Sequence, residues 1–335
     1  MTEQPRLFPA EEIADAVRDG RPVVALESTL LSHGLPAGRN LEVARRLERT
    51  VREAGAVPAT IAVLDGRPLI GLSPAELERV CAEDAGLDKL SLRDLGPAVG
   101  LGRSGATTVA STSALAAAAG IGVFGTGGLG GVHLPQARTG DHRARPRGPE
   151  ALHAPEHAFR SGADSAPAQL SWDVSADLGV LAAVPTVVVC SGVKSVLDIA
   201  ATLEVLETNS VPVLGYRTDD FPAFYLRSSG HPVPWRVEDA ASAAAVVAAH
   251  RRTSSSGVLL ANPVPEESEM DRSLHDRLLE EGLELLRSKD VHGSDVTPVL
   301  LEHFHTASGG VSLDANEALV VSNVRLAAEV AVELS

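Results

Sequence analysis

The sequence predicts an α/β protein with a largely parallel sheet, one antiparallel hairpin and a helical C-terminal part. Three observations carry that prediction. Short apolar runs, mostly β-branched, alternate between residues 22 and 261 with segments whose apolar residues recur at helical spacing. Residues 186–216 read strand, helix, strand, with lengths that suit a right-handed crossover between parallel strands. Six Phe, two Trp and two Tyr are the only aromatic side chains among 335 residues, so the core must come from Ala, Val, Leu and Ile, which suits Ala-rich helices lying close on a sheet.

Residues 11–18 predict a short helix, and the apolar run 22–26 a buried strand. In residues 40–54, Leu41, Ala44, Leu47, Val51 and Ala54 share one helical face. Residues 59–64 predict a strand, and Asp65-Gly66 before 68–71 is a strong hairpin signal. Ser73, Pro74 and Glu76 form a helix start, with Ser as N-cap, Pro at the first helical position and Glu at the third. A small-residue helix is expected over 107–119 and a strand over 121–124, running into the glycine-rich 125–131. Residues 136–170 hold three histidines, four prolines and many charges without apolar periodicity, which predicts a mobile insertion in a single domain spanning 1–335. After it, helices are expected over 175–183, 195–207 and 238–250, and strands over 186–190, 211–216 and 257–261. Three more helices follow over 274–286, 297–306 and 313–334.

Charge and composition exclude some functions. With 29 Lys+Arg against 44 Asp+Glu the formal charge is −15, which opposes binding to a nucleic-acid backbone. Cys81 and Cys190 are far apart in apolar stretches and read as buried free thiols of a reducing cytoplasm. The N-terminus has acidic residues and no apolar core of a secretory signal. Residues 104–137 lack Asp, Glu, Lys and Arg, yet 104–131 contain eight Gly and seven Ser/Thr. That composition makes a poor membrane span and a good backbone for close approach to a ligand, so neither a membrane nor a nucleic acid is expected as a partner.

Several short motifs bear on chemistry. Gly125-x-Gly127-x-x-Gly130 matches a dinucleotide fingerprint in letters only, since no helix follows the third glycine and no strand ends in an acid about 20 residues on. Ser191-Gly-Val-Lys194 matches the S-x-x-K of penicillin-binding hydrolases, whose companion motifs S-D-N and K-T-G are absent. Lys194, expected in the first turn of a helix, would face the positive end of the helix dipole with an apolar strand behind it, conditions that activate an amine nucleophile. Asp173 and Asp177 would share one side of a helix beginning near Asp173, and with His133 an Asp oxygen suits a hard cation held largely through water. Glu27 closes the first strand, where open α/β sheets bind ligands.

Together these strings form a pattern. Residues 24–36 (VALESTLLSHGLP), Gly55-Ala-Val-Pro-Ala-Thr-Ile61, Lys89 with Arg93-Asp-Leu95, Gly105-Ala-Thr-Thr-Val-Ala-Ser-Thr112, Thr126-Gly-Gly-Leu-Gly-Gly-Val-His133, Asp173-Val-Ser-Ala-Asp-Leu178 and Ser191-Gly-Val-Lys-Ser195 resemble, in order, the motifs of pseudouridine-5'-phosphate glycosidases. The resemblance runs from Pro22 to Glu329, interrupted by the insertion.

It implies a three-layer α/β/α fold around a mixed, largely parallel sheet, a homotrimer in the cytoplasm, a divalent metal (Mn, with Mg as alternative), and reversible cleavage of pseudouridine 5'-phosphate into uracil and ribose 5-phosphate. Carried over by motif, Lys194 is the nucleophile that forms a Schiff base with C1' of the sugar, and Glu27 the proton donor. Asp173 holds the metal through water, with His133 close by. Lys89, Val109, Ser175, Ala176 and Asp177 meet the substrate, and Asn316 lies near the base. Thr107 and Thr108 belong to a stretch, 105–112, where backbone N–H groups and four Ser/Thr hydroxyls are expected to bind the phosphate. Two features depart from the family: the stretch between His133 and Asp173 is longer than expected for it by about thirty residues, judged against ordinary loop lengths, and Leu92 stands where an Arg is common. Two alternatives share the motifs: an enzyme of pigment biosynthesis acting on another phosphorylated C-glycoside, and a non-catalytic phosphosugar-binding protein.

Overall fold

A computed structural model describes residues 7–133, 173–194, 197–289, 291 and 296–335. The expected insertion at 136–170 lies outside the described residues. The chain opens with β1 (Phe8–Pro9), α1 (Glu11–Arg18), β2 (Val23–Leu26), α2 (Thr29–His33) and α3 (Arg39–Glu53). β3 (Val57–Leu64) and β4 (Arg67–Ile70) are antiparallel. Asp65 and Gly66 between them have φ of 51° and 72°, the paired positive angles a two-residue hairpin demands. α4 (Pro74–Cys81) begins with the expected capping box, Ser73 Oγ accepting from the Glu76 N–H while the Ser73 N–H donates to Glu76 at 2.8 Å. β5 (Asp88–Leu90), α5 (Leu95–Gly100), β6 (Gly105–Thr107), α6 (Val109–Ala118), β7 (Val123–Gly125) and β8 (Val132–His133) follow. The second half contains α7 (Ala176–Ala183), β9 (Val187–Cys190), β10 (Leu197–Asp198), α8 (Ile199–Thr208), β11 (Val213–Tyr216), β12 (Trp235–Val237), α9 (Ala240–His250) and β13 (Val258–Ala261). It ends in α10 (Arg272–Lys289), α11 (Val296–Ala307) and α12 (Val311–Glu333).

The central sheet runs β3-β2-β7-β9-β13-β11-β12, with every neighbouring pair parallel, and β4 and β6 flank β3 antiparallel. Side chains alternate across it. Val24, Leu26, Val189 and Leu260 pack with α3, α9 and α12, while Ala25, Phe124, Val188 and Leu259 pack with α1, α6, α7 and α8. This is a three-layer α/β/α arrangement with a mixed, largely parallel sheet. The expected crossover exists, but β9 and β11 are not neighbours, because β13 enters between them. Residues 104–133, the charge-free stretch, are divided among β6, α6, β7 and β8, and no helix among the described residues is long and apolar enough to cross a membrane.

Three local expectations are corrected. Thr107 belongs to β6, paired with β5, so the helix begins two residues later. α8 starts at Ile199, where Asp198 caps it by accepting from the Ala201 N–H at 2.9 Å, and Leu197 pairs with His133. Lys194 is therefore outside the helix, and no helix dipole acts on it from the first turn. α7 starts at Ala176, with Ser175 as its cap and Val174 bridged to Val132, so Asp173 lies outside the helix that carries Asp177.

Candidate active site

In an open parallel sheet, ligands bind at the carboxyl ends of strands where the chain order reverses. Here that point lies between β2, which continues outward to β3, and β7, which continues the other way to β9. Leu26 pairs with Gly125 and Gly125 with Val189, so Glu27 and Thr126 leave adjacent strands together. Lys194 follows the end of β9, and all this opens on a cavity of about 360 Å³. Glycine is required here by space. A Cβ on Gly192, at φ +76°, would sit 1.9 Å from the Pro222 carbonyl oxygen, and one on Gly130 would sit 2.4 Å from Ser175 Oγ.

Glu27 and Lys194 both line the cavity. Burial pushes the Glu27 carboxyl above the usual carboxylate range; Lys194, a hydrogen bond donated by the Thr126 hydroxyl, and Lys89 pull it back, and Asp177 adds to the rise. The net direction favours the protonated acid. The Lys194 Nζ donates to the Gly128 carbonyl at 3.4 Å. The chain has only three lysines, Lys89, Lys194 and Lys289, and the first two line this one cavity.

A second wall is made by two helix N-termini. Thr108 and Val109 at the start of α6, and Ser175 and Ala176 at the start of α7, line the cavity along with Lys89. Asp177 joins the two turns: its Oδ1 accepts from the Ala110 N–H and its Oδ2 from the Gly130 N–H, each at 2.9 Å. The hydroxyls expected to converge on a phosphate do not all do so. Thr107, Ser111 and Thr112 are fully buried, with Thr107 donating to the Ile61 carbonyl, Ser111 to the Leu90 carbonyl and Thr112 to Thr107. Pairing of Thr107 with Leu90 in β5 turns its hydroxyl inward, Ser111 and Thr112 lie among the buried residues of α6, and Thr108 alone of the four lines the cavity.

The opposite end is less polar. Asn316, 2% exposed on α12, lines the cavity with an Oδ1 that has no hydrogen-bond donor among the described residues. Phe224 lies beside it, at φ +62°, a strained angle for a bulky residue, its N–H donating to the Ser191 carbonyl at 2.9 Å. Sequence reasoning missed Phe224 and the role of Thr126. The signal for Phe224 was available, since Phe221, Phe224 and Tyr225 fall within five residues of an aromatic-poor chain. His133 and Asp173 line the cavity together, the His133 N–H donating to the Asp173 carbonyl at 2.9 Å. Among the described residues no three His, Cys, Asp or Glu side chains form a cation cage. One carboxylate and one imidazole fit a hard cation that keeps most of its water shell, and do not fit a tightly ligated metal.

The sequence matches the family described as Indigoidine synthase A like protein over residues 12–144 and 162–333. The chain belongs to this family. The break in the match, 145–161, falls inside the 136–170 segment. A pseudouridine-5'-phosphate glycosidase of Salinispora tropica is 50% identical over 323 residues, covering 96% of this chain and 90% of the relative. One from Nocardioides sp. is 47% identical, with 98% and 97% covered. Among solved structures, the prealnumycin C-glycosynthase AlnA in complex with ribulose 5-phosphate superposes with a TM-score of 0.80 at 36% identity, covering 98% of this chain and 97% of that one. An indigoidine synthase A-like protein of Thermotoga maritima also gives 0.80, at 35% identity, with 100% and 98% covered.

Proposed function

We propose that this chain reversibly cleaves the C-glycosidic bond of pseudouridine 5'-phosphate, giving uracil and ribose 5-phosphate. The observation that carries the reading is Glu27, with its carboxyl pushed upward, and Lys194 on one cavity at a strand-order reversal, in a chain about half identical to enzymes named for that reaction.

The leaving atom explains the residue types. C1' is bonded to carbon 5 of uracil, so the paired carboxylates of ordinary glycosidases face a poor leaving group. Glu27 donates its proton to the ring oxygen as the C1'–O4' bond breaks, and the Lys194 amine forms a bond to C1'. That nitrogen loses a proton to the Glu27 carboxylate, and the lone pair so freed forms a C1'=N iminium while the C1'–C5 pair returns to carbon 5, which takes the proton from Glu27 to become uracil. Water adds to the iminium, releasing ribose 5-phosphate as aldehyde and restoring the amine. The phosphate sits against Lys89, Thr108 and the N-terminal turns of α6 and α7, where helix dipoles favour an anion. The buried Asn316 Oδ1 accepts an N–H of the base. Asp173, with His133, would hold a hydrated Mn or Mg, which supplies positive charge and bound water at the sugar. A homotrimer in the cytoplasm completes the proposal.

The test is release of uracil from pseudouridine 5'-phosphate with Mn. Uracil formation together with ribose 5-phosphate supports it. Binding without turnover favours a phosphosugar-binding protein, and turnover of other phosphorylated C-glycosides alone favours the pigment-type enzyme.

A further inference from the structure

Asn323 is fully buried in the middle of α12, on a face otherwise made of Leu319, Val320, Val324 and Ala327. A lone amide in such a place costs free energy unless it is hydrogen-bonded. Its Nδ2 donates to the carbonyls of Thr126 at 2.8 Å and Gly127 at 3.3 Å, and lies 3.1 Å from Ser191 Oγ. Its Oδ1 accepts from Asn262 Nδ2 at 2.9 Å. One side chain thus grips the exits of three adjacent strands, β7, β9 and β13. The segment it grips carries both reacting groups' partners: the Thr126 hydroxyl donates to Glu27, and the Gly128 carbonyl accepts from Lys194.

We propose that Asn323 is a positioning residue that fixes the placement of Glu27 relative to Lys194 by holding the peptide stretch 126–128. This rests on the proposed function. Satisfied buried networks hold their members rigidly, and a shift of about 1 Å in a reacting group costs about 100-fold in rate.

The experiment measures kcat, KM, the pH profile of kcat and the thermal midpoint for Asn323→Asp, which keeps the acceptor and loses the donors, and for Asn323→Leu, which loses both. Ser256→Ala serves as a control: Ser256 is buried at the other end of β13, donating to the Ser210 carbonyl at 2.6 Å. Both Asn323 variants are expected to lose about 100-fold in kcat with KM hardly changed, whereas the control loses stability alone. In Asn323→Leu the basic limb of kcat, where Glu27 loses its proton, moves to higher pH. The groups facing Glu27 are Lys194, Lys89, Thr126 and Asp177, and of these the Thr126 bond is the one released. Thr126→Val combined with Asn323→Leu should slow the reaction no further than Asn323→Leu alone, since loss of Asn323 already releases the Thr126 bond. Wild-type kcat in the folded Asn323 variants, or failure of both to fold, makes Asn323 a structural residue and overturns the inference alone. An inactive wild type overturns the proposed function and this inference with it.

Discussion

Asp177→Asn perturbs the junction of the two helix N-termini with no change in side-chain volume. Asp177 is 8% exposed, and each carboxyl oxygen accepts one backbone N–H at 2.9 Å, from Ala110 and Gly130. An amide has one acceptor oxygen, so one of the two N–H groups would face an NH2 and lose its partner. A buried donor left unpaired costs about 1–3 kcal/mol, and weakening the remaining bond from charged to neutral about 1 kcal/mol more. The expected loss is about 2–4 kcal/mol, which for a chain of this size lowers the thermal midpoint by about 3–6 °C. Activity changes too. Asp177 raises the Glu27 pKa, so its neutralisation moves the basic limb of the pH–rate profile to lower pH. Thermal unfolding at pH 7 and kcat from pH 5 to 9 are the assays. A midpoint within about 1 °C of wild type, less than about 0.7 kcal/mol, with an unmoved basic limb, would refute the bridging role.

Glu27→Gln should abolish turnover yet raise the unfolding midpoint at neutral pH. The folded pKa lies above the unfolded one, so the folded state binds the extra proton and stability falls as pH rises through that window. The gain over wild type should vanish below about pH 4, where both states are protonated; a variant less stable than wild type at pH 8 would contradict the direction. Chelation should remove activity, and Mn restore it, with Asp173→Ala needing more Mn; full activity in chelator would discard the metal proposal.

Much of the fold was legible because it rests on local pattern. The Asp65-Gly66 turn, the Ser73 capping box and the three C-terminal helices follow from a few adjacent residues each. What was not legible depends on distant partners. Residues from 195 onward have helical spacing, but the pairing of Leu197 with His133 and the Asp198 cap delay the helix to Ile199. Ser/Thr richness in 105–112 suggests a phosphate cradle, while the pairing of β6 with β5 and the packing of α6 decide which hydroxyls face the core. The positive φ of Phe224 has no local signature, since its N–H is held by Ser191. Glu27 and Lys194 were found through motif order, and their meeting in one cavity follows from the neighbouring exits of β2, β7 and β9.

The central claim is a covalent link between Lys194 and the sugar. Borohydride added during turnover of pseudouridine 5'-phosphate would reduce the iminium to a stable secondary amine, and peptide mass spectrometry would locate it among three lysines. The account predicts a reduced pentitol-phosphate adduct on the Lys194 peptide, absent without substrate and absent in Lys194→Ala. Uracil release with no adduct, or an adduct on Lys89 alone, would contradict it.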